Sequence, residues 1–309
     1  MNGAARNLVV LDAPSNLGLR PPRPGDEPGT RFAPSALRRA GILTRLGAID
    51  AGGVAVPPYR IGRPDDTRIR NLDGVRVFAL ALAEALEPIV ETGRFPVVLG
   101  GDCSILLGSM LALRRRGRYG LVFVDGHTDL LTPVTSQTGG AAGMDLALVT
   151  GHGPAALADL DGRGPLVDPR DVVAIGSRDG SERSLELARD VATAGAALVP
   201  LADVRRRGLA ATSRAAVDHL TGHEAMGFWV HLDVDVLDST LMPAVDSPQP
   251  DGLTFDEVIE LLRPLLTAPS AVGFQVTVFD PELDTDGLLA QRLVAAIGAA
   301  FAADPPSAA

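Results

Sequence analysis

The sequence predicts an α/β protein with one wide, mostly parallel sheet of eight strands and helices on both of its faces. Two observations lead to this prediction. Short apolar runs rich in β-branched residues alternate with longer amphipathic segments along the 309 residues, a pattern typical of parallel strands joined by helices. Hydrophobic residues make up 46% of the chain and charged residues 21%, a balance that favours a well-packed globular protein over a disordered one.

The elements follow in order from these runs. The eight predicted strands are residues 7–11, 52–56, 96–99, 119–124, 171–175, 197–200, 227–232 and 271–279. The helices predicted between them include residues 34–46, 70–92, 104–116, 182–194, 210–221 and 254–267. Thr254, with Glu257 three residues later, resembles a capping box and marks the start of one helix. We expect one domain over residues 1–309, frayed from about residue 303 onward.

The composition disfavours several classes of function. The formal net charge of −10 disfavours nucleic-acid binding, which draws on clustered Lys and Arg. No run approaches the ~18 consecutive apolar residues of a membrane span, and the first residues lack the apolar stretch of a signal peptide. The single cysteine, Cys103, is consistent with a reducing compartment. We therefore expect a cytoplasmic protein with no nucleic-acid or membrane partner.

Candidate metal ligands follow three of the predicted strands, at the sheet edge where open α/β sheets bind ligands. The three segments are GGDCS at residues 100–104, DGHTD at 125–129 and DVDVLD at 233–238. Alternate side chains of an extended chain face one side, so four carboxylates and at least one imidazole would share one volume. The two alternating sets are Asp125, His127 and Asp129, and His231, Asp233 and Asp235.

Carboxylates packed this closely repel one another, and two divalent cations would neutralise them. Oxygen-rich ligands with one or two imidazoles suit Mn²⁺ and similar ions, whose bridging water becomes a nucleophile near neutral pH. The alternative is that each Asp only caps a helix or a turn after its strand. Five candidate ligands from these two sets together favour the metal site: Asp125, His127, Asp129, Asp233 and Asp235.

These motifs resemble those of the ureohydrolase family, which includes arginase, agmatinase and formimidoylglutamase. VVLGGDCS resembles the family's GGDHS strand end, and VFVDGHTD resembles its DAHxD motif. Residues 232–254 resemble its longest motif, DxDxxDPxxxPxxxTPxxGG, and residues 29–42 resemble its early Gly-rich loop and helix. The resemblance spans nearly the whole chain. It implies a three-layer α/β/α fold, a homo-oligomer, two Mn²⁺ per chain, and hydrolysis of a linear amidine C–N bond by a metal-bound hydroxide.

The resemblance also implies how the ligands divide between the two metals. By position, Asp125 and Asp233 would bridge the ions. The other implied ligands are Cys103 and Asp129 for one metal, and His127 and Asp235 for the other. Cys103 stands where the family has a metal-binding His, and a thiolate shifts the preference from Mn²⁺ toward Zn²⁺, Co²⁺ or Fe²⁺, or leaves the position weakly occupied. The alternative is a small buried cysteine that binds no metal.

Other departures from the family concern the substrate. Arginase has a carboxylate-binding Asn where this chain has Leu131, and a proton-shuttling His where it has Ala142. The family Glu that holds the guanidinium falls at Val278, or at Thr277 if the alignment slips by one residue. We therefore expect a substrate other than free arginine. The candidate substrate-binding residues are Thr138, Arg178 and Ser181, and the candidate catalytic residues are Asp129 and His231.

His231 has two interpretations, a substitute ligand or proton relay on the face of Asp233, or a hydrogen-bonded residue behind the site.

Three functions also stay open. The leading hypothesis is a metal-dependent hydrolase of a small amidine or guanidino compound. The second is a catalytically weak or inactive relative that binds a ligand or acts as a scaffold, and the third is an amide hydrolase, which needs no Glu for a guanidinium.

Overall fold

Eight parallel strands form one sheet in the computed structural model, which describes residues 6–62, 66–178, 182–222 and 224–302. The strands are β1 (Leu8–Ala13), β2 (Ile49–Gly53), β3 (Phe95–Gly100), β4 (Gly120–Val124), β5 (Val172–Ile175), β6 (Ala197–Val199), β7 (Phe228–Asp233) and β8 (Ala271–Thr277). Their order across the sheet is β2-β1-β3-β8-β7-β4-β5-β6. All neighbouring pairs are parallel, which confirms the predicted fold class.

Helices cover both faces of this sheet. One face packs against α1 (Ala33–Arg39), α2 (Ile42–Leu46), α8 (Leu201–Arg207), α9 (Leu209–Thr221), α10 (Phe255–Thr267) and α11 (Leu288–Phe301). The other face packs against α3 (Leu72–Glu91), α4 (Leu106–Arg114), α5 (Asp145–Val149), α6 (Ala155–Ala158) and α7 (Glu182–Thr193). Across the described ranges, every helix is too short or too polar to cross a lipid bilayer.

The strands divide their side chains between the two apolar cores. In β3, Val97 and Leu99 pack into one core, while Val98 between them packs into the other. All three side chains are fully buried, so each contributes roughly 1.5–3 kcal/mol of hydrophobic stabilisation relative to an exposed position. Burial on both faces explains why the strand sequence is a continuous apolar run.

Local sequence signals set several helix ends. Thr254 and Glu257 form the predicted capping box at the start of α10, with side-chain to backbone distances of 3.2 and 2.8 Å. The predicted helix over 34–46 is instead two helices, because Gly41 adopts a left-handed backbone with φ of 90° and ends the first one.

Other boundaries differ from the predictions for physical reasons. The predicted strand 52–56 lies at Ile49–Gly53, an edge strand whose five residues are all exposed, so an apolar run does not mark it. Strand β8 ends at Thr277, because Val278 has a φ of 72° that a strand does not accommodate. Helices α8 and α11 were not among the predicted ones. The predicted frayed tail, residues 303–309, lies outside the described residues.

The strand order determines where a site can form. Strands β3, β8, β7 and β4 are consecutive in the sheet, so the segments that follow them leave the same stretch of its carboxyl edge. Asp233 at the end of β7 lies beside Thr277 at the end of β8 in the register of the sheet. The three motif segments therefore meet at the centre of this edge.

Candidate metal centre

Two tight turns bring together candidate ligands beyond β4 and β7. Asp125 follows β4, and its Oδ1 accepts a hydrogen bond from the His127 N–H at 2.6 Å. Asp233 ends β7, and its Oδ1 accepts one from the Asp235 N–H at 2.7 Å, where the 3-10 turn Val234–Val236 begins. The alternate side chains converge because each Asp turns the chain within two residues, whereas the sequence argument assumed an extended chain.

Cys103 approaches the same volume from a third turn. It opens the 3-10 turn Cys103–Ile105, which Asp102 caps with its side chain after β3. Cys103 Sγ lies 2.7 Å from Asp233 Oδ2 and 3.2 Å from Thr277 Oγ1. The thiol is buried, so its neighbours in the protein determine its chemistry.

The candidate ligand atoms form three overlapping groups, and within each group all of the atoms lie within 4.8 Å of one another. Each of the six residues predicted as metal ligands belongs to at least one group. The groups also contain Asp145, which the sequence argument missed, and His231. They are Cys103, Asp125, His231 and Asp233; Cys103, Asp129 and Asp145; and Asp125, His127 and Asp235.

Burial raises the pKa values of the acidic groups in this centre. The pKa values of Asp125, Asp145 and Asp233 are raised well above the ordinary value, first by burial and then by neighbouring carboxylates. Burial also raises the pKa of the Cys103 thiol, and the nearby charge of Asp233 adds to the effect. Without a cation, these groups therefore retain protons to higher pH than they do in water.

His127 and Asp235 form a hydrogen-bonded pair beside the buried acids. His127 Nδ1 lies 2.9 Å from Asp235 Oδ2, and Asp235 Oδ1 accepts the Gly126 N–H at 3.1 Å. The side-chain amide of Gln249 lies 2.8 Å from His127 Nε2. Burial alone would lower the pKa of His127, but the bond to Asp235 and the surrounding carboxylates raise it to about 10.

Unpartnered oxygens in the centre fit a divalent cation. Among the described residues, no donor lies within hydrogen-bond geometry of three buried oxygens: Asp125 Oδ2 and both carboxylate oxygens of Asp145. Each such buried polar group costs about 1–3 kcal/mol in the absence of a partner. Carboxylates with an imidazole and a thiolate are ligands for Zn²⁺, Co²⁺ and, through the oxygens, Mn²⁺. The residues present therefore fit one or more such ions.

A hydrogen-bond chain determines the proton position on His231. The Trp229 indole N–H donates to Gln275 Oε1 at 3.0 Å, which leaves Gln275 Nε2 to donate to His231 Nδ1 at 2.7 Å. His231 is therefore protonated at Nε2, 4.0 Å from Asp125 Oδ2. Its ring is fully buried and stacks on Phe123, and burial lowers its pKa to about 3. It lies beside Asp125, and neither His231 Nε2 nor Asp125 Oδ2 has a hydrogen-bond partner among the described residues.

A cleft of about 170 Å³ opens onto the centre. Asp129 and Thr138, two of the predicted site residues, line it together with candidate ligands. Its wall also contains Leu131, Ala142 and Val278, three of the positions at which the sequence departs from the arginase pattern. A larger neighbouring cavity of about 730 Å³ shares Leu19, Arg20 and Asp246 with the cleft but contains none of the candidate ligands.

Of the other two predicted substrate-binding residues, Arg178 does not line the cleft. The Arg178 guanidinium donates to five backbone carbonyl groups, and the partners of its Nη2 include Asp235 at 2.8 Å and Gln249 at 3.0 Å. Arg178 therefore holds the two segments after β7 in place. Ser181 lies outside the described residues. Val278 lines the cleft whereas Thr277 contacts Cys103, so of these two residues it is Val278 that faces the cleft.

Sequence reasoning missed Asp145, Gln249 and Gln275, for which no motif or strand-end position gave a signal. Asp145 begins α5, whose Ala147 N–H donates to the Asp129 carbonyl at 3.2 Å and so ties the helix to the ligand loop. Gln275 lies inside β8, where its fully buried amide interrupts an apolar run. A polar residue inside an otherwise apolar strand was the available signal for Gln275.

The comparisons with known proteins agree with this geometry. The sequence model of the arginase family matches residues 8–303. Arginase from Bacillus caldovelox is 32% identical over 301 residues, which cover 95% of this chain and 97% of that protein. The chain belongs to the arginase family.

Solved structures of the arginase family share the whole fold. The structure of Bacillus caldovelox arginase superposes with a TM-score of 0.87 at 30% identity and covers 97% of this chain and 99% of that one. Formimidoylglutamase from Bacillus subtilis, at 18% identity, superposes with a TM-score of 0.74 over 97% of this chain and 88% of that one. The second likeness concerns the fold alone. Members of the arginase family are hydrolases of C–N bonds, and the centre described here lies among the family's motifs.

Proposed function

We propose that this protein is a metal-dependent hydrolase that cleaves the C–N bond of a small linear amidine or guanidino compound other than free arginine. The observation that carries the proposal is the buried cluster of Asp125, Asp233 and their neighbours, with unpartnered oxygens, beside a cleft. Such a cluster suits an enzyme better than an inactive relative, because each buried carboxylate has a stability cost that bound cations offset.

Two of the candidate ligand residues would contact both ions, and the other four would each contact one. Asp125 and Asp233 would be shared by two ions, with Asp235 and His127 on one side and Cys103 and Asp129 on the other. Divalent cations held there supply Lewis-acid chemistry, which makes water nucleophilic near neutral pH. Either Mn²⁺ or a more thiophilic ion such as Zn²⁺ or Co²⁺ is compatible with these residues.

The remaining roles belong to side chains that line the cleft. Asp129 is the candidate general base and acid, because its carboxylate lines the cleft and it is less buried than the other acids. It would accept the proton released when water adds to the amidine carbon, and return it to the leaving amine. Thr138 would contact the substrate from the cleft wall, and His231 would orient Asp125 from behind.

The cleft wall supports a substrate other than arginine. Leu131, Ala142 and Val278 place apolar groups where arginase has an Asn, a His and a Glu. Asp246 is exposed at the rim, and among the described residues that line the cleft it is the carboxylate outside the candidate ligand set. A cationic amidinium is therefore expected to depend on Asp246 rather than on residue 278.

The decisive experiment is a substrate screen on protein loaded separately with Mn²⁺, Zn²⁺ and Co²⁺. Urea, ammonia and amine release are measured for arginine, guanidinoalkylamines, guanidino acids, formimidoyl amino acids and simple amides. We expect turnover of at least one amidine or guanidino compound and a lower kcat/KM for arginine. Arginine as the preferred substrate would contradict the proposed specificity, and turnover of amides alone would favour the amide hydrolase. The absence of any turnover, with metal bound, would favour an inactive relative.

A second experiment tests the position of the missing counter-charge. Val278→Glu places a carboxylate in the cleft, and it relieves the strain of a β-branched residue at a φ of 72°. We expect a KM for guanidino compounds that is lower by about tenfold, which corresponds to roughly 1.4 kcal/mol of binding. Val134→Glu is the matched control, because Val134 is 76% exposed and does not line the cleft. Equal effects of both substitutions would show that the gain is not local.

A further inference from the structure

Asp145 is the most completely buried unpartnered acid among the described residues. Its relative exposure is 0%, and neither carboxylate oxygen is in hydrogen-bond geometry with a donor. The Leu146 N–H lies close enough to favour the ionised form slightly, but it does not offset the burial and the neighbouring Asp129. A carboxylate in this position needs either a proton or a cation.

The surroundings of Asp145 supply the other ligands for a cation. Within the centre, one oxygen of Asp145, one of Asp129 and the Cys103 sulfur lie within 4.8 Å of one another. Cys103 Sγ also lies 2.7 Å from Asp233 Oδ2, so this group is continuous with the shared carboxylates. Two carboxylates and a thiolate around one volume match the ligand types of Zn²⁺ and Co²⁺.

Taken together with the proposed function, on which this inference rests, the geometry points to Asp145 as an additional metal ligand on the Cys103 side of the centre. The cation on that side is a thiophilic divalent ion, Zn²⁺ or Co²⁺, held by Cys103, Asp129 and Asp145 with the shared carboxylates. Asp145 compensates there for the replacement of a family His by Cys103, because it adds a hard oxygen ligand to the soft sulfur.

The binding experiment compares Asp145→Asn with wild type in zinc, cobalt and manganese titrations of the full chain. We expect one of the two cations to bind about 10- to 100-fold more weakly to the variant than to wild type. Loss of a residue that only supports a metal ligand already lowers metal affinity by this range. The metal-free variant should unfold at the same or a higher temperature, because the substitution removes an unpartnered acid. Unchanged affinity for both ions would overturn the inference.

Asp171→Asn is the matched control. Asp171 is also 0% exposed, but it pairs with Arg118 at 2.5 Å on another part of the molecule. We expect this variant to unfold at a lower temperature and to bind metals with wild-type affinity. If Asp145→Asn instead behaved like the control, with lost stability and intact metal binding, Asp145 would be structural and the inference would be wrong.

A measurement on the wild-type protein avoids dependence on any variant. Anomalous diffraction at the zinc edge, on crystals grown with Zn²⁺, should place an ion about 2.0–2.2 Å from an Asp145 oxygen and about 2.3 Å from Cys103 Sγ. An ion bound without Asp145 would overturn the inference. Zinc held by Asp145 in a protein that hydrolyses no amidine would leave the inference intact and contradict the proposed function. Conversely, amidine hydrolysis by a protein whose bound zinc does not contact Asp145 would support the proposed function and contradict this inference.

Discussion

The centre has a His127 side, which includes Asp235, and a Cys103 side, which includes Asp145. The two sides differ in how fully their candidate ligands are hydrogen-bonded. On one side, His127 has a polar neighbour at each ring nitrogen, and both Asp235 oxygens are engaged at 2.9 and 3.1 Å. On the other, Asp145 is buried with both oxygens unpartnered, and Cys103 takes the place of an imidazole. On the side that keeps the family's motif, His127 and Asp235 hydrogen-bond each other without a metal, whereas on the Cys103 side the buried carboxyl of Asp145 needs either a proton or a cation.

The largest expected effect comes from removing a ligand common to both sides. Asp125→Asn should lower the affinity for both ions and reduce kcat/KM by more than about 100-fold, because Asp125 belongs to ligand groups on each side. Metal content measured after gel filtration, together with steady-state kinetics, checks this. Loss of only one ion would show that Asp125 serves a single side.

The pH dependence of stability tests whether the acids are held protonated without metal. Asp125, Asp145 and Asp233 have raised pKa values, so the unfolded chain releases these protons at lower pH than the folded chain does. Their stability contribution is complete below about pH 4 and is lost as pH rises through the folded values. At any pH where the folded chain keeps such a proton and the unfolded chain has lost it, each retained proton lowers the free energy of unfolding by about 1.4 kcal/mol per pH unit.

Thermal unfolding in the presence of a chelator, from pH 6.5 to 8.5, measures this slope. His127, whose pKa is raised to about 10, also keeps its proton in the folded state over that window and adds to the slope. The pKa of His231, lowered to about 3, keeps this residue neutral in the folded state, whereas the unfolded residue loses its proton around pH 6.5 and so offsets part of the slope at the lower end of the window. Saturating Zn²⁺ should remove the part of the slope that comes from these carboxyl groups, because bound cations replace their protons. A flat profile without metal would contradict the assignment of protons to this cluster.

A smaller effect is expected from changing only the soft ligand. Cys103→Ser should reduce the preference for Zn²⁺ over Mn²⁺ by about tenfold, because a hydroxyl does not supply the soft sulfur that favours zinc. With Co²⁺ bound, the thiolate-to-metal charge-transfer absorption should disappear in the variant. Cobalt spectra that are the same for both proteins would show that Cys103 binds no metal.

The most indirect effect should come from the support of His231. Gln275→Leu removes the amide that fixes the ring, and it leaves the Trp229 N–H and His231 Nδ1 without their present partner. We expect a loss of about 1–3 kcal/mol in the free energy of unfolding, and weaker binding of both metals to a similar extent. Weakening confined to one ion would place His231 on a single side.

The sequence predicted the fold and the main ligand set because both depend on local patterns. Continuous apolar runs mark buried parallel strands, and the motif residues at their ends necessarily meet at one sheet edge. Asp145 escaped this reasoning because it lies on a short helix twenty residues beyond Asp125, and only the packing of that helix brings it to Cys103. Arg178 was interpreted as a substrate contact, because sequence does not show that backbone carbonyls occupy its guanidinium.

The hydrogen bonds from Arg178 to backbone carbonyl groups affect which substitutions such a protein can accept over evolutionary time. Its donors contact carbonyl oxygens in residues 235–237 and 249–250, and these contacts do not depend on which side chains stand there. Substitutions between these two segments, including one at Asp246, can therefore accumulate without changing the backbone conformation around Asp235. Residues that face the cleft can therefore change while the candidate metal ligand Asp235 keeps its position.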